Sequence, residues 1–192
     1  MSLVLTSGPA LEPISLAEAK AHLRITHTLE DALIQSLIIT SRLHIEAALG
    51  FALITQGWSV FLDRWPRGHR IALPIRPVLA IGQVRIWAPD GTSSIVAPGK
   101  YLLDGHGIPA RLVWQSAEPP SDAIRAANGI EIALTAGFGA APADVPATIR
   151  HALLLLVAHW YENREPVEIG AAGNAIPAMV SELLAPYRRR RV

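Results

Sequence analysis

Apolar residues near the N-terminus recur at three- and four-residue steps, the spacing of one helix face. This pattern predicts a first helix over about Leu16 to Arg24, where Ser15 and Glu18 have the sequence of a capping box. It predicts a second, longer helix within the segment Thr26 to Gly50, and the final glycine is a natural stop. Several isoleucines widen the apolar face of this second helix. The chain therefore begins with a helical region.

The period of the pattern changes to two between about Ala52 and Ala136, where apolar and polar residues alternate. Alternation interrupted by short turn sequences predicts antiparallel strands with one face in a core and one face in water. The two prolines of Pro74–Pro77 predict a strand edge or a break between strands, because proline cannot donate to a ladder. The sequence Pro89–Gly91 predicts a hairpin turn. The middle of the chain is therefore a β region.

Helical spacing returns after this region. Asp144 and Pro146 predict the N-cap and the first turn of a third main helix. One stripe of that helix is formed by Ile149, Leu153, Leu156 and Trp160. A last, short helix is predicted before Pro186.

The third main helix carries four consecutive leucines, which place apolar atoms around most of its circumference. Its own bundle can cover one side, so we expect a neighbouring subunit or the β region to cover the other. The residues expected at an oligomer interface are Leu153, Leu154, Leu155, Leu156 and Trp160.

Hydrophobic residues make up 51% of the chain and charged residues 17%, whereas about 25% charged residues is typical of soluble domains. This composition indicates a large core or a surface that a partner covers. The longest apolar run, Ala152 to Ala158, is far shorter than the roughly 18 residues of a membrane span, so we expect no membrane contact. The absence of cysteine excludes disulfides and cysteine-ligated metal sites.

The positive charge is concentrated at the C-terminus. Residues 1–187 carry 13 basic and 16 acidic side chains, a net charge of −3, and Arg188, Arg189, Arg190 and Arg191 then follow. Four adjacent guanidinium groups can bind nucleic-acid phosphates or a protein groove lined with carboxylates. A small DNA-binding regulator is therefore one alternative. A protein groove is favoured, since no predicted helix has a basic face.

Candidate catalytic groups are sparse. His159 and Glu162 lie three residues apart on a predicted helix, a spacing that can serve one metal ion, but no matching pair is evident on a second helix. No serine lies in a G-x-S-x-G sequence, and the glycines of Ala136–Pro142 lack the lysine of a phosphate-binding loop. We expect no enzymatic activity, metal or cofactor. A metal-dependent enzyme that uses His159 and Glu162 is the alternative hypothesis.

Three segments carry a family resemblance: PISLAEAKAHLRI, EDALIQSLIITSRLHIEAALG and TAGFGAAPADVPATIRHALLLLVAHWYENRE. Together with ALITQGWSVFLDRWP and IALPIRPVLAIGQVRI between them, they resemble the head-tail connector (adaptor) proteins of long-tailed double-stranded DNA phages and of the related gene transfer agents. The resemblance extends from about Pro13 to Glu165.

The patterns and the resemblance together predict an α+β fold. Residues 1–51 and 137–185 are expected to form a helical bundle from the N- and C-terminal helices. Residues 52–136 are expected to be an inserted antiparallel β subdomain, and residues 186–192 a basic C-terminal tail.

The resemblance implies a structural protein without catalysis. Members of the family form a ring of about twelve subunits under the portal and extend the DNA channel. The ring also binds the neck or tail protein that follows it in the particle. We therefore expect a homo-oligomeric ring that contacts the portal protein and a neck or tail stopper protein, while genomic DNA passes through without specific binding. The expected location is the neck of a virion or phage-like particle, assembled in the cytoplasm of a bacterial host. A neck or tail-completion protein that binds an adaptor is the alternative in this class.

The C-terminal tails of such adaptors reach onto the portal. The resemblance therefore assigns a portal-binding role to Pro186, Tyr187, Arg188, Arg189, Arg190 and Arg191. We also expect the polar end of the third main helix to face a rim or the channel, and the negative net charge of residues 1–187 to keep sliding DNA from adhering.

Overall fold

The computed structural model describes residues 1–115, 119–120, 123–164 and 176–188. The chain divides into two compact units. Met1–Ala10 and Gly50–Phe138 form the first, here called the β unit, and Leu11–Leu49 and Gly139–Val192 form the second, the helical unit. Helices and antiparallel sheets occur in one chain, so the predicted α+β fold class is confirmed.

The described part of the helical unit contains four α-helices: α1 (Leu16–Leu23), α2 (Asp31–Leu49), α3 (Ala147–Glu162) and α4 (Ala178–Leu184). α3 is central, since it packs against the other three. Its inward stripe of Ile149, Leu153 and Leu156 has no exposed surface. α2 packs against α3 and buries its own stripe of Ile34, Ile38 and Ile45, which lie at helical spacing.

The first two helices begin and end near the predicted signals. Ser15 caps α1 and forms the capping box with Glu18, as predicted. Gly50 follows α2 with a φ of 67°, a left-handed conformation that glycine adopts without strain. The sequence alone therefore located both helices to within a few residues.

The predicted N-cap of the third main helix is wrong. Pro146 occupies the N-cap position of α3. The carboxylate of Asp144 instead accepts a hydrogen bond from the Ala141 amide at 2.9 Å and closes a 3₁₀ turn over Pro142–Asp144. Asp144 lies two residues too early because this extra turn stands between the loop and the helix.

The β unit has eight strands in its described residues: β1 (Ser2–Ser7), β2 (Gln56–Leu62), β3 (Arg70–Ala72), β4 (Val78–Trp87), β5 (Ser93–Val96), β6 (Tyr101–Asp104), β7 (Arg111–Trp114) and β8 (Ile130–Ala136). Five form one antiparallel sheet in the order β1-β2-β8-β4-β5, and three form a second in the order β3-β7-β6. Val60 on β2 lies opposite Ile132 on β8, and both are fully buried. The two sheets share one hydrophobic core, to which the smaller sheet contributes Ile71, Leu112 and Trp114.

Both turn predictions in the β region are confirmed. Pro74–Pro77 separates β3 from β4, which belong to different sheets. Pro89–Gly91 lies in the hairpin between β4 and β5, where the amide of Ala88 donates to the carbonyl of Thr92 at 2.8 Å and Gly91 has a φ of 86°.

The N-terminal segment differs from the expectation. We expected residues 1–51 to belong to the helical bundle, but Ser2–Ser7 is an edge strand that pairs with β2, and Met1–Ala10 lies in the β unit. Its partner strand lies more than 50 residues further along the chain. A short segment with little burial has no local pattern that reveals such a pairing, because the pairing is decided by tertiary contacts.

Arg42 is a buried cation in the middle of α2. Its guanidinium donates to both carboxylate oxygens of Glu12, at 2.8 and 3.3 Å, and to Glu46 at 2.8 Å. Burial alone lowers the pKa of Arg42, but the hydrogen bonds and charges of the two carboxylates raise it above its usual value. This ion triad holds the segment before α1 against α2.

A second ion pair joins α1 to α3. Glu18, already in the capping box, also accepts a hydrogen bond from the guanidinium of Arg150, which in turn donates to the carbonyl of Pro13 at 3.2 Å. The pKa of Glu18 is lowered, first by the hydrogen bond from the Ser15 amide and further by Arg150. The start of α1 is thereby fixed to the first half of α3.

α2 is long and apolar enough to cross a membrane by length and composition. It nevertheless carries Arg42 and Glu46, which form a largely buried ion pair, and its inward stripe packs against α3. The inward part of this apolar composition is buried in the helical unit and the outward part stays exposed. We interpret α2 as a helix of the bundle rather than a membrane span.

Replacing Arg42 with alanine should lower the free energy of unfolding by about 3 kcal/mol, because two carboxylates lose the cation that compensates their burial. Urea denaturation of the purified protein measures this loss. Arg70→Ala, which removes an exposed arginine, is the control and should change stability by less than about 0.5 kcal/mol. Equal effects of the two substitutions would contradict a structural role for the triad.

Acid should loosen the attachment of α1. The folded-state pKa of Glu18 lies below the unfolded value of about 4.3. Its contribution to stability is therefore present above the unfolded pKa and is lost as the pH falls through the folded pKa. We expect Tm to fall between about pH 5 and about pH 3, and to fall less in Glu18→Gln, which cannot titrate. Parallel Tm profiles of the two proteins would show that this carboxylate does not contribute.

Candidate functional site

The four leucines of α3 do not form one exposed surface. Leu153 and Leu156 have no exposed area in the chain, so they have none to lose in a contact between subunits, and this part of the interface prediction is wrong. Leu154 and Leu155 are half-buried. α3 is covered by α1, α2 and α4 of its own unit, which is why its inward leucines need no neighbouring subunit.

Trp160 is half-buried near the end of α3. Its ring packs edge-on against the imidazole of His44 on α2, with the ring centroids 5.7 Å apart. The tryptophan thus has an intramolecular contact and retains exposed surface. A role at a subunit boundary stays a prediction for this residue.

The polar end of α3 is used inside the helical unit. The Tyr161 hydroxyl donates to Glu30, which directly precedes α2, and the guanidinium of Arg164 donates to the same carboxylate at 2.6 Å. Arg164 also lies over the Tyr161 ring, 4.3 Å from its centroid. The pKa of Glu30 is lowered by the Tyr161 and Arg164 hydrogen bonds, and the pKa of Tyr161 is raised by Glu30. These residues attach the end of α3 to the start of α2.

The described end of the chain lies against α3. The hydroxyl of Tyr187 is hydrogen-bonded to that of Thr148 at 2.8 Å, and Tyr187 is half-buried. Pro186 and Arg188 are exposed. Arg189, Arg190 and Arg191 of the predicted portal-binding tail lie outside the described residues. Tyr187 therefore belongs to the packed helical unit.

The outward face of α2 carries no carboxylate, lysine or arginine. Among its 19 residues the charged side chains are Asp31, Arg42 and Glu46, and none of the three is classed as exposed. Ile39 and Leu43 point outward with 42% and 52% of their surface exposed. The exposed residues of α2 are Ala32, Gln35, Ser36, Ile39, Thr40, Leu43, His44, Ala47 and Ala48.

An apolar groove borders this face. It has a volume of about 260 Å³ and is lined by Leu11, Glu12, Ile14, Ser15, Leu16, Gln35, Ile38, Ile39 and Pro142. Leu11, at its rim, is 55% exposed. The sequence pattern does not distinguish this surface from the core, because the isoleucines of α2 form one wide apolar stripe. The available signal was the rarity of charge along a 19-residue helix.

The candidate metal pair has no further ligands among the described residues. No group of three or more His, Cys, Asp or Glu side chains in the described ranges could hold a metal ion. His159 lies next to Asn163, whose amide donates to the His159 carbonyl at 2.8 Å. Within this part of the chain, the pair His159 and Glu162 therefore lacks the ligand set of a protein metal site.

Comparison with known proteins identifies relatives of the whole chain. Residues 13–88 match the family model of the phage gp6-like head-tail connector protein. No curated protein matches the sequence. Solved structures do: a chain from the neck of an empty gene transfer agent particle, computed with C6 symmetry, is 29% identical with a TM-score of 0.83, and the match covers 100% of this chain and 97% of that one.

Two further solved structures match this chain to a similar extent. A chain from the virion of a native gene transfer agent particle is 30% identical with a TM-score of 0.82, and so is a chain from the neck of a native particle computed with C12 symmetry. Each match covers 100% of this chain and 97% of the other. These relatives are structural parts of a particle, and none is an enzyme. The chain belongs to the head-tail connector family, whose members are structural proteins of the particle neck.

Proposed function

We propose that this chain is the adaptor of a phage-like particle: about twelve copies form a ring under the portal protein, extend the DNA channel and carry the next neck or tail stopper protein. The observation that carries the proposal is the full-length match, at 30% identity, to a chain in a neck computed with C12 symmetry. Genomic DNA passes through such a ring without sequence-specific binding. The particle is assembled in the host cytoplasm.

The outward face of α2 is our candidate for the contact between subunits. Neighbours in a closed ring meet through two different surfaces of the same chain, so each subunit needs a patch that tolerates burial. Interface centres are depleted in charged residues. The outward face of α2 is free of carboxylates, lysines and arginines and borders an apolar groove. The half-buried Leu154, Leu155 and Trp160 are retained as further candidates.

The helical unit is suited to carry a ring contact, because its helices are joined at several points. The Arg42 triad, the Glu18–Arg150 pair and the Glu30 cluster lie at different places along α2 and α3. A preformed surface loses less conformational entropy on assembly than a flexible one. Stable subunits with a prepared surface are what a neck component requires.

The C-terminal arginines are the proposed portal contact. Arg188 is exposed, and Tyr187 before it is hydrogen-bonded to Thr148. A run of guanidinium groups binds carboxylate-lined grooves through paired, charge-assisted hydrogen bonds. The charged part of the proposed contact therefore begins at Arg188. Pro186 and Tyr187 connect it to the helical unit and remain part of the proposed contact.

A charge on the outward face of α2 should prevent ring formation. Leu43→Glu places a carboxylate where 52% of the side chain is already exposed, so the monomer should fold normally while assembly requires burial of an unpaired charge. Negative-stain electron microscopy of the protein mixed with its portal shows rings or their absence. Met179→Glu, at a position 56% exposed on α4, is the matched control and should assemble.

Normal rings from Leu43→Glu would exclude α2 as the contact and leave the adaptor function standing. A wild-type protein that forms no rings with the portal would reject the function itself. Attachment only when a separate adaptor is present would support the alternative, a neck or tail-completion protein.

Removal of Arg188–Val192 should leave the thermal unfolding unchanged and weaken attachment to portal rings by at least about tenfold, since several charge-assisted hydrogen bonds are lost. Co-sedimentation with portal rings in the absence of tail proteins measures attachment. A chain with lysine at positions 188–191 keeps the charge and should show an intermediate affinity, because lysine lacks the paired donors. Wild-type attachment by the truncated chain would disprove the role of the tail.

A further inference from the structure

The connection from β2 to β3 is a strongly basic segment of the β unit. The connecting residues 63–69 together with Arg70, the first residue of β3, are called here the basic loop. Arg64, Arg67, His69 and Arg70 are all exposed. Asp63 is the one acidic residue of the loop, and its carboxylate accepts a hydrogen bond from the Asn128 amide at 2.8 Å. The positive charges therefore face solvent without a neutralising carboxylate in the loop itself.

The other arginines of the β unit are engaged. The guanidinium of Arg111 donates to Asp104 at 2.6 Å, and that of Arg125 donates to the carbonyl of Asn128 at 2.8 Å. Arg76 lies over the Phe51 ring and Arg85 over the Trp87 ring, 4.2 and 5.5 Å from the centroids.

The side chains of the three arginines of the basic loop form no hydrogen bond, ion pair or ring contact within the described part of the chain. They differ in this respect from the other four arginines of the same unit. No contact among the described residues therefore engages these three guanidinium groups.

The base of the basic loop is held in place. The indole nitrogen of Trp65 donates to the carbonyl of Pro120 at 3.0 Å, and its ring packs edge-on against Trp114, 4.9 Å away, in the shared core. Gly68 has a φ of 92°, which suits glycine and helps to turn the chain at the tip. An open groove of about 550 Å³ is lined by Arg64, Trp65, Pro66 and Arg67. The loop thus presents its guanidinium groups from a fixed support.

The charge of the whole chain is divided unevenly between the units. The β unit has eight basic and six acidic side chains, a net charge of +2. The helical unit without its four terminal arginines has five basic and ten acidic side chains, a net charge of −5. The net −3 of residues 1–187 therefore does not describe the surface of the β unit.

We propose that the basic loop binds the phosphate backbone of double-stranded DNA without sequence preference. The inference rests on the proposed function only in that an adaptor surrounds the packaged genome. Arginine pairs well with phosphate oxygens through two parallel hydrogen bonds. Nucleic-acid affinity that comes from such contacts is independent of sequence.

The composition of the loop favours a polyanion over a protein groove. Protein interfaces have an apolar centre, but the basic loop has no large hydrophobic side chain among the exposed ones, and the indole nitrogen of Trp65 is already bonded. The loop also lacks asparagine and glutamine, the residues that pair with adenine edges.

The test measures binding of a labelled duplex of about 20 base pairs by fluorescence anisotropy at about 50 and 200 mM salt. Three phosphate contacts correspond to a salt slope of about 2.7, which is a roughly 40-fold loss of affinity over this range. The triple variant Arg64→Gln, Arg67→Gln and Arg70→Gln should lose this salt-dependent component. The double variant Arg64→Gln and Arg67→Gln is compared with a matched control that carries Arg24→Gln and Lys100→Gln, two exposed cations outside the loop. The control changes the net charge by the same amount as the double variant and should retain the salt-dependent component.

Equal losses in the double loop variant and its charge-matched control would show that binding follows net charge, and would overturn the proposal. The absence of wild-type binding up to about 100 µM at the lower salt would overturn it as well. Normal DNA binding by the loop variant combined with failure to assemble on the portal would assign the loop to a protein contact instead. Thermal unfolding of each variant checks that the fold is retained.

Ring formation with the portal is measured on the same proteins and tests the proposed function separately. Rings without loop-dependent DNA binding would reject this inference alone. Loop-dependent DNA binding by a wild-type protein that forms no rings would reject the adaptor function and keep the inference.

Discussion

The burial of α3 inside the helical unit is the constraint on which the rest of the structure depends. Only four of its sixteen residues are exposed. Burying a leucine side chain contributes roughly 1.5–3 kcal/mol, and Leu153 and Leu156 of α3 are buried among α1, α2 and α4. The helical unit covers the inward stripe of this helix by itself. The outward face of α2, which carries no carboxylate, lysine or arginine, stays exposed in this arrangement.

Charge has two different uses in the two units. In the helical unit, Arg42, Arg150 and Arg164 each pair with a carboxylate of another segment, so they join helices and give little net attraction to outside partners. In the basic loop of the β unit the arginines are exposed and have no such partner within the described residues. Buried or shared ion pairs fix geometry, whereas free cations recruit anions. Arginine therefore joins helices in the helical unit, whereas in the basic loop of the β unit its side chains are exposed to solvent.

The two compact units differ in construction. The helical unit is a scaffold whose helices are joined by ion pairs at several points, and the outward face of α2 lies on its surface. The β unit is a two-sheet body with a charged loop. Each unit thus presents its own kind of exposed surface.

The sequence by itself determined the local elements and the fold class. Period-two and helical patterns, the capping box at Ser15, the Gly50 stop and the turn at Pro89–Gly91 act through neighbouring residues, so they could be recognised without a structure. The tertiary structure decided what distant segments do to one another. The pairing of β1 with β2, the burial of Leu153 and Leu156 by the chain itself, and the partners of Arg42 and Tyr161 all join segments far apart in sequence. Exposure is a property of the packed chain, so only the folded structure could separate the leucines that form the core from the uncharged face of α2 that remains available.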